Sequence, residues 1–367
     1  MKKMKQKRIT LIILFAVLLF LPYPSWRAVR GHLNTENNEN RVLAEFPRLT
    51  RANFEDWPSA FSQYVNDRMP YRTQFIRTQS RLDYHLFGRS FDDQVVLGKN
   101  SFLFHQAEKP FHRGNSGFSE EQLRTIADNL TEAQKNLAAE GIDFYLFIAP
   151  NKETIYPEYF PDEILRTGGM NRTEQLLAYL RENTDIPVIF PKEELLEAKG
   201  RIPDFPLYRS SDTHWNQLGA YVATRVLLRE LGIGMPDYAD ENLLRVALDD
   251  EAGDLAKMIY LEHDIDLGKA CMIGGFEENN VQNPVSDFWG TLEFSSDSPD
   301  RRTLFVCRDS FGVAMGDILG TQFAKTVMPH VTDSYRPEQV REVKPDIFVY
   351  EVVERFSYYL EDFHYNP

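Results

Sequence analysis

The chain has 367 residues, 43% of them hydrophobic, enough for one large α/β core or a core with a small companion domain. Its net charge of −14 excludes the clustered basic surface that nucleic acid requires. Five positive charges fall in the first eight residues, so the rest carries −19, a body that anionic lipid headgroups would repel.

The basic start, with Lys2, Lys3, Lys5, Lys7 and Arg8, leads into an apolar run from Ile9 to Leu21. Pro22, Tyr23, Pro24, Ser25 and Trp26 follow. The run is short for a spanning helix, which needs about 20 residues, and resembles the apolar part of a signal peptide. No small-x-small cleavage site follows it, and Tyr23 and Trp26 suit a membrane interface. The expectation is an uncleaved signal anchor over residues 1–27, with the basic end cytoplasmic and the remainder extracytoplasmic. A cleaved signal peptide is the alternative, and it exports the same protein. Residues 28–50 read as a tether, polar and Asn-rich from Gly31 to Asn40.

A single domain is expected over residues 51–367. Phe54, Trp57, Phe61, Tyr64 and Val65 keep near-helical spacing, and Pro70 divides this segment from a second helix that ends near Gly88. Val95 to Phe104 predicts a β-hairpin around Gly98-Lys99-Asn100-Ser101. Ser119 and Gln122 form a capping box for a helix running to Gly141. Strands are then expected at Ile142–Ile148, Val188–Phe190, Thr303–Cys307 and Ile347–Val353. Helices are expected at Asn171–Asn183, Trp215–Leu231 and Phe311–Leu319. Apolar strands alternating with helices imply an α/β fold with a central parallel sheet covered on both faces. Residues 233–300 are irregular and acidic, and read as an insertion or a lid. Cys271 and Cys307 have no zinc spacing, and whether they pair is open.

Two segments carry chemistry. In Leu304–Gly312 an apolar strand ends at a polar corner, where Ser310 takes the position of a nucleophile beyond the carboxyl end of a strand. Backbone N–H groups after Ser310 open a helix and offer donors for an oxyanion, although a plain Ser N-cap would have the same sequence. In Ser211–Ala220, Asp212 and His214 lie two residues apart on a loop, the spacing that lets a carboxylate orient an imidazole base. The pair could instead supply two metal ligands, but no third His or acid stands at a supporting spacing. The remaining histidines, His32, His85, His105, His112, His263, His330 and His364, are scattered. No metal and no cofactor is expected.

Read together, the two segments resemble the alginate O-acetyltransferase family of AlgX and AlgJ type (DHHW-type proteins), whose SGNH hydrolase-like domain carries Asp-x-His-Trp upstream of its serine. Asn40–Ala44 with Pro47, Asp67–Arg72, Gly98–Phe104, Ala149–Lys152 with Tyr156 and Pro157, Gly253–Leu255 and Glu354-Arg355 match in the same order. The resemblance implies an SGNH-hydrolase-like three-layer fold behind the membrane anchor, with Ser310 as nucleophile, His214 as base and Asp212 as its orienting acid. Asn151 is a candidate oxyanion donor. Arg308, which stands where a GDS-type corner has Gly, and Lys152 are candidates for holding an acyl donor or an anionic glycan. Trp215 is expected to pack beneath His214. The implied activity is extracytoplasmic O-acetyl transfer to a cell-surface or exported polysaccharide, with a membrane-bound O-acyltransferase as the acetyl source. A carbohydrate esterase using the same serine, or a non-catalytic glycan-binding scaffold, are the alternatives.

Overall fold

The structure, a computed structural model, describes residues 42–365 except 116, 241, 249–250, 277–280, 284–288 and 333–334. The expected anchor at 1–27 and most of the expected tether lie outside the described residues, and residues 42–50 are irregular coil. Among the described residues, no helix is long and apolar enough to cross a membrane.

Contacts divide the chain into two units. The smaller comprises the described residues up to Phe91, with 257–261. It contains α1 (Trp57–Arg68) and α2 (Arg72–Phe87), separated by Pro70 as expected. The break is sharp because Tyr71 is left-handed and Pro cannot donate into a continuing helix. Trp57 stacks on Phe61, and Phe46 meets Phe61 and Tyr64 edge-on. The buried Asp67 carboxylate accepts the Ala44 N–H at 2.8 Å.

The larger unit begins with the hairpin β1 (Val95–Leu97) and β2 (Leu103–His105), antiparallel in register Val96↔Phe104, and the short α3 (Lys109–Arg113). In chain order there follow α4 (Glu120–Ala139), β3 (Asp143–Ala149), α5 (Lys152–Ile155), α6 (Arg172–Asn183), β4 (Val188–Ile189), α7 (Lys192–Arg201) and α8 (Gln217–Glu230). Then come β5 (Leu244–Leu248), α9 (Asp254–Met258), β6 (Lys269–Ile273), β7 (Val281–Asn283), β8 (Leu292–Ser295) and β9 (Thr303–Cys307). The last elements are α10 (Val313–Gln322), β10 (Lys325–Met328), α11 (Pro337–Val343) and β11 (Ile347–Val353).

Among the described residues, seven strands form the central sheet in the order β4-β3-β11-β9-β10-β8-β7. The five from β4 to β10 are parallel, whereas β8 runs antiparallel to β10 and β7 antiparallel to β8. The sheet is therefore mixed rather than wholly parallel. The link from β8 to β9 is too short for a parallel crossover, which takes a dozen or more residues. Residues 233–300, expected as an insertion or lid, supply β7 and β8, and β5 and β6, which pair antiparallel in a separate two-stranded sheet.

Alternation along the strands builds the three layers. Phe144, Leu146, Phe305, Cys307, Phe348 and Tyr350 face a core shared with Ile126, Leu130, Ala133 and Leu137 of α4. The α4 residues recur at helical spacing, and Ser119 with Gln122 forms the expected capping box. Phe147, Ala149, Leu304, Val306 and Val349 face the other core, with Leu218, Val222 and Leu227 of α8 and Met315 of α10. Cys271 and Cys307 are free, buried thiols belonging to opposite cores. Phe348 sits at the middle of its layer, fully buried and stacked on Phe305 at 5.4 Å between ring centres. Phe348→Ala is expected to cost about 3–5 kcal/mol of stability, read as a lower urea midpoint at unchanged slope.

Candidate active site

β3, β11 and β9 are neighbours and end on the same edge of the sheet, so the loops after Ala149, Val353 and Cys307 converge. That edge is where open parallel sheets place their ligand crevice. Ser310 stands on the loop after β9. The helix there starts at Val313 rather than at Phe311, because the buried Asp309 carboxylate holds the corner open. Asp309 Oδ1 accepts the Phe311 N–H at 2.8 Å and Oδ2 the Val353 N–H at 2.7 Å. Its own N–H donates to Glu351 Oε2 at 3.0 Å. Burial, then the charge of Asp309, pushes the Glu351 carboxyl well above the usual range, which keeps it neutral beside Asp309. The Phe311 N–H, one of the donors expected to serve an oxyanion, is thereby engaged.

Asp212 and His214 lie on the loop before α8. The loop is pinched by a bridge between Tyr208 and Trp215, and Asn216 caps the helix through the Gly219 N–H at 3.0 Å. Asp212 Oδ1 meets His214 Nδ1 at 2.6 Å, and His214 Nε2 meets Ser310 Oγ at 2.9 Å. The structure thus brings the three expected residues into one hydrogen-bonded chain. Asp212 is buried while His214 and Ser310 are half-buried, so the reactive end of the chain faces outward. Trp215 is 2% exposed, meets Phe311 edge-on, and donates Nε1–H to the Phe311 carbonyl at 3.0 Å, while the ring against His214 is that of Phe311. That one bond ties the two segments together.

Electrostatics favour a basic imidazole. Burial opposes the imidazolium, but the charge and hydrogen bond of Asp212, with the charge of Asp254, win and lift the His214 pKa above its ordinary value. Burial also works against the Asp212 carboxylate, yet His214 and Arg209 hold its pKa far below the usual range. With Nδ1 donating to Asp212, Nε2 is left to accept from Ser310, the arrangement a serine nucleophile needs.

Lys152 and Arg308, the expected candidates for holding a donor or an anionic glycan, have other occupations. Lys152 is fully buried, and its ammonium donates to the carbonyls of Arg209 (3.0 Å), Ser210 (3.1 Å) and Asp212 (2.6 Å). A lysine has three such donors, so the contacts use them all. Burial lowers its pKa to about 8, against the opposing pull of Glu108, Asp212 and Asp254. Arg308 is also fully buried and donates to the carbonyls of Asp309 and Gly290. Both cations hold backbone.

Asn151 follows β3, is fully buried, and donates its backbone N–H to Glu354 Oε2 at 2.7 Å. Its Oδ1 lies 3.5 Å from the Arg355 guanidinium, which covers the Phe311 ring next to Ser310. Its Nδ2 donates to no protein acceptor among the described residues. Glu354 also accepts from Thr154 Oγ1.

Asp254 was not anticipated. It supplies the third acidic or imidazole group that the Asp212–His214 spacing lacks, with ligating atoms of all three within 4.8 Å. Protein donors already occupy both carboxylates: His214 and Asp254 N–H groups at Asp212, and Thr213 N–H and Oγ1–H at Asp254. The signal available in sequence was the Gly253-Asp254-Leu255 match. Gly253 is required because a Cβ there would stand 2.5 Å from both Asp212 Cβ and the Ser211 carbonyl.

A three-layer α/β sandwich with a Ser–His–Asp chain at the carboxyl ends of its strands is SGNH hydrolase-like. The family model described as "SGNH hydrolase-like domain, acetyltransferase AlgX" matches residues 95–269, a span that includes Asp212 and His214 and stops before Ser310. The probable alginate O-acetylase AlgJ of Pseudomonas syringae pv. tomato is 28% identical over 178 residues, 47% of this chain and 41% of that protein. The match therefore spans about two fifths of that relative's length. PatB1 of Bacillus cereus shares the fold with a TM-score of 0.55 at 15% identity, over 73% of this chain and 97% of that one. A DHHW family protein from Eubacterium siraeum gives 0.51 at 11% identity, over 69% and 92%. In sequence, residues 95–269 are similar to the AlgX/AlgJ-like family.

Burial raises the Glu354 pKa from the ordinary 4.5 to about 7. The native state therefore binds the extra proton between these values, and stability present below pH 4.5 is lost as pH rises through 7. Glu354→Gln keeps an acceptor for Asn151 and Thr154 without a charge. It is expected to match wild type near pH 4 and to be more stable by roughly 1–3 kcal/mol at pH 8, measured by denaturant titration at both pH values.

Proposed function

We propose that this protein is an extracytoplasmic O-acetyltransferase that moves an acetyl group through Ser310 to hydroxyls of a cell-surface or exported polysaccharide. The observation that carries the reading is the chain Asp212–His214–Ser310, with contacts of 2.6 and 2.9 Å and its serine end accessible. The relatives named probable alginate O-acetylase support the choice of acetyl as the group and polysaccharide as the acceptor class.

In the first step Ser310 Oγ attacks the acetyl carbonyl while His214 Nε2 takes its proton. The tetrahedral adduct collapses, the donor leaves with that proton, and acetyl-Ser310 remains. A sugar hydroxyl then attacks the acyl-enzyme, His214 takes the hydroxyl proton, and collapse returns it to Ser310 as the acetyl ester departs. Asn151 Nδ2, buried and without a protein acceptor among the described residues, is suited to stabilise the oxyanion. An anchor within residues 1–27 would hold the enzyme beside a membrane-bound O-acyltransferase that supplies acetyl. No cofactor enters this scheme.

The test is hydrolysis of p-nitrophenyl acetate by the purified protein, with and without short glycan acceptors. Ser310→Ala is expected to lose activity by about 10³-fold or more. Acetylated glycan is the product expected; acetate alone in the presence of acceptor would instead mark an esterase. Unchanged activity in Ser310→Ala would overturn the serine mechanism. The base must be neutral to act, so kcat/KM is expected to rise with pH through an apparent pKa above the ordinary 6.5 of histidine.

A further inference from the structure

Three residues within the stretch from Gly253 to Ala256 grip the loop that carries Asp212 and His214. Gly253 N–H donates to Ser211 Oγ at 3.0 Å, Asp254 N–H to Asp212 Oδ2 at 3.1 Å, and Ala256 N–H to the Ser211 carbonyl at 3.1 Å. The Asp254 side chain answers in the other direction, accepting the Thr213 N–H on Oδ1 at 2.8 Å and the Thr213 hydroxyl on Oδ2 at 2.6 Å. Because the Thr213 proton points to Asp254, the free lone pairs of that hydroxyl face His214 Nδ1, 3.1 Å away. Asp254 Oδ2 itself lies 3.9 Å from Nδ1.

We infer that Asp254 is a positioning residue of the site, acting on His214 by its charge and through the Thr213 hydroxyl. The inference rests on the assignment of His214 as the base of Ser310. Its backbone N–H fixes the far oxygen of Asp212, so the near oxygen is aimed at Nδ1. Its carboxylate polarises Thr213, which gives the Nδ1–H a second acceptor and disfavours the tautomer with the proton on Nε2. Its charge joins that of Asp212 in stabilising the imidazolium formed when Ser310 loses its proton. The groups opposing this effect are the Arg355 guanidinium, the Arg209 guanidinium near Asp212 Oδ2, and the Lys152 ammonium beneath the loop. Half-buried Asp254 is thus a second carboxylate behind one imidazole, contributed from 42 residues beyond Asp212.

The experiment is a titration of the His214 imidazole by NMR in the full chain, its resonance identified by its absence from His214→Gln, together with pH profiles of p-nitrophenyl acetate turnover. Asp254→Asn keeps the size and removes the charge. The His214 pKa is expected to fall by about one unit, the acid limb of the profile to move down with it, and plateau kcat to drop while KM stays nearly constant. Asp254→Glu is expected to return the limb toward wild type. Thr213→Val keeps the charge, so the limb should stay in place while the plateau falls several-fold. An unmoved His214 titration in a folded Asp254→Asn protein overturns the inference, whatever happens to the rate, since a merely structural role lowers turnover without shifting the pKa. Should Asp254→Asn not fold, a Thr213→Val protein indistinguishable from wild type in plateau and limb overturns it. The Ser310→Ala assay judges the serine mechanism separately, because the imidazole titration reads the action of Asp254 even in a protein without turnover.

Discussion

The buried ammonium of Lys152 is the interaction on which the site depends. An unpaired cation in an apolar interior is costly, and here it lies against Phe102 and Phe104 as well as three carbonyls. Those carbonyls belong to consecutive turns of the loop that bears Asp212 and His214, so the cation sets the path of that loop from below. Tyr208 adds a second attachment through its hydroxyl on the Pro150 carbonyl at 2.7 Å. The loop is irregular, yet the carbonyls of Arg209, Ser210, Ser211, Asp212 and His214 all accept hydrogen bonds, as burying irregular chain requires. With the path fixed, Asp212 and His214 need only their own two-residue spacing to meet.

The opposite half of the site is held by a different device. Asp309 grips both the chain after Ser310 and the end of β11, and neutral Glu351 supports it from within the sheet. Trp215 joins the halves through Phe311, which also lies beneath His214 at 5.0 Å between ring centres. The reactive groups therefore sit on two loops, each clamped by a buried polar group that does not itself face the crevice. Rigidity at the site comes from these supports rather than from the helices that follow.

The fold was legible where periodicity and caps agreed. Ser119 with Gln122, Asn171 and Pro70 marked helix boundaries correctly because each acts locally on neighbouring backbone. Thr303–Cys307 and Ile347–Val353 were legible as strands buried on both faces, bounded by polar turns. The antiparallel strand β8 was not, since Leu292–Ser295 is short and its direction follows from a connection, not a pattern. In the site, Asp212, His214 and Ser310 were readable from residue type and resemblance. That Lys152 and Arg308 hold backbone carbonyls was not legible, because a charge in sequence carries no sign of whether it faces solvent or carbonyls. Asp254 lay in the stretch with least periodicity, and only the folded chain brings it to Thr213.

The sheet order has a consequence for how the molecule comes into being. Among the described residues β11 is the last strand, yet it lies between β3 and β9, in register with both. A chain emerging from its amino end can form the β9–β10 side and the β3–β4 side, but it cannot join them until β11 follows. Asn151 belongs to one side and Ser310 to the other, and the Glu354 and Arg355 that link them follow β11 directly. The closing contacts are all distant in sequence, which makes assembly slow compared with local helix formation. A nascent or carboxyl-truncated chain would hold both halves of its chemistry apart, inert until the last strand slides home.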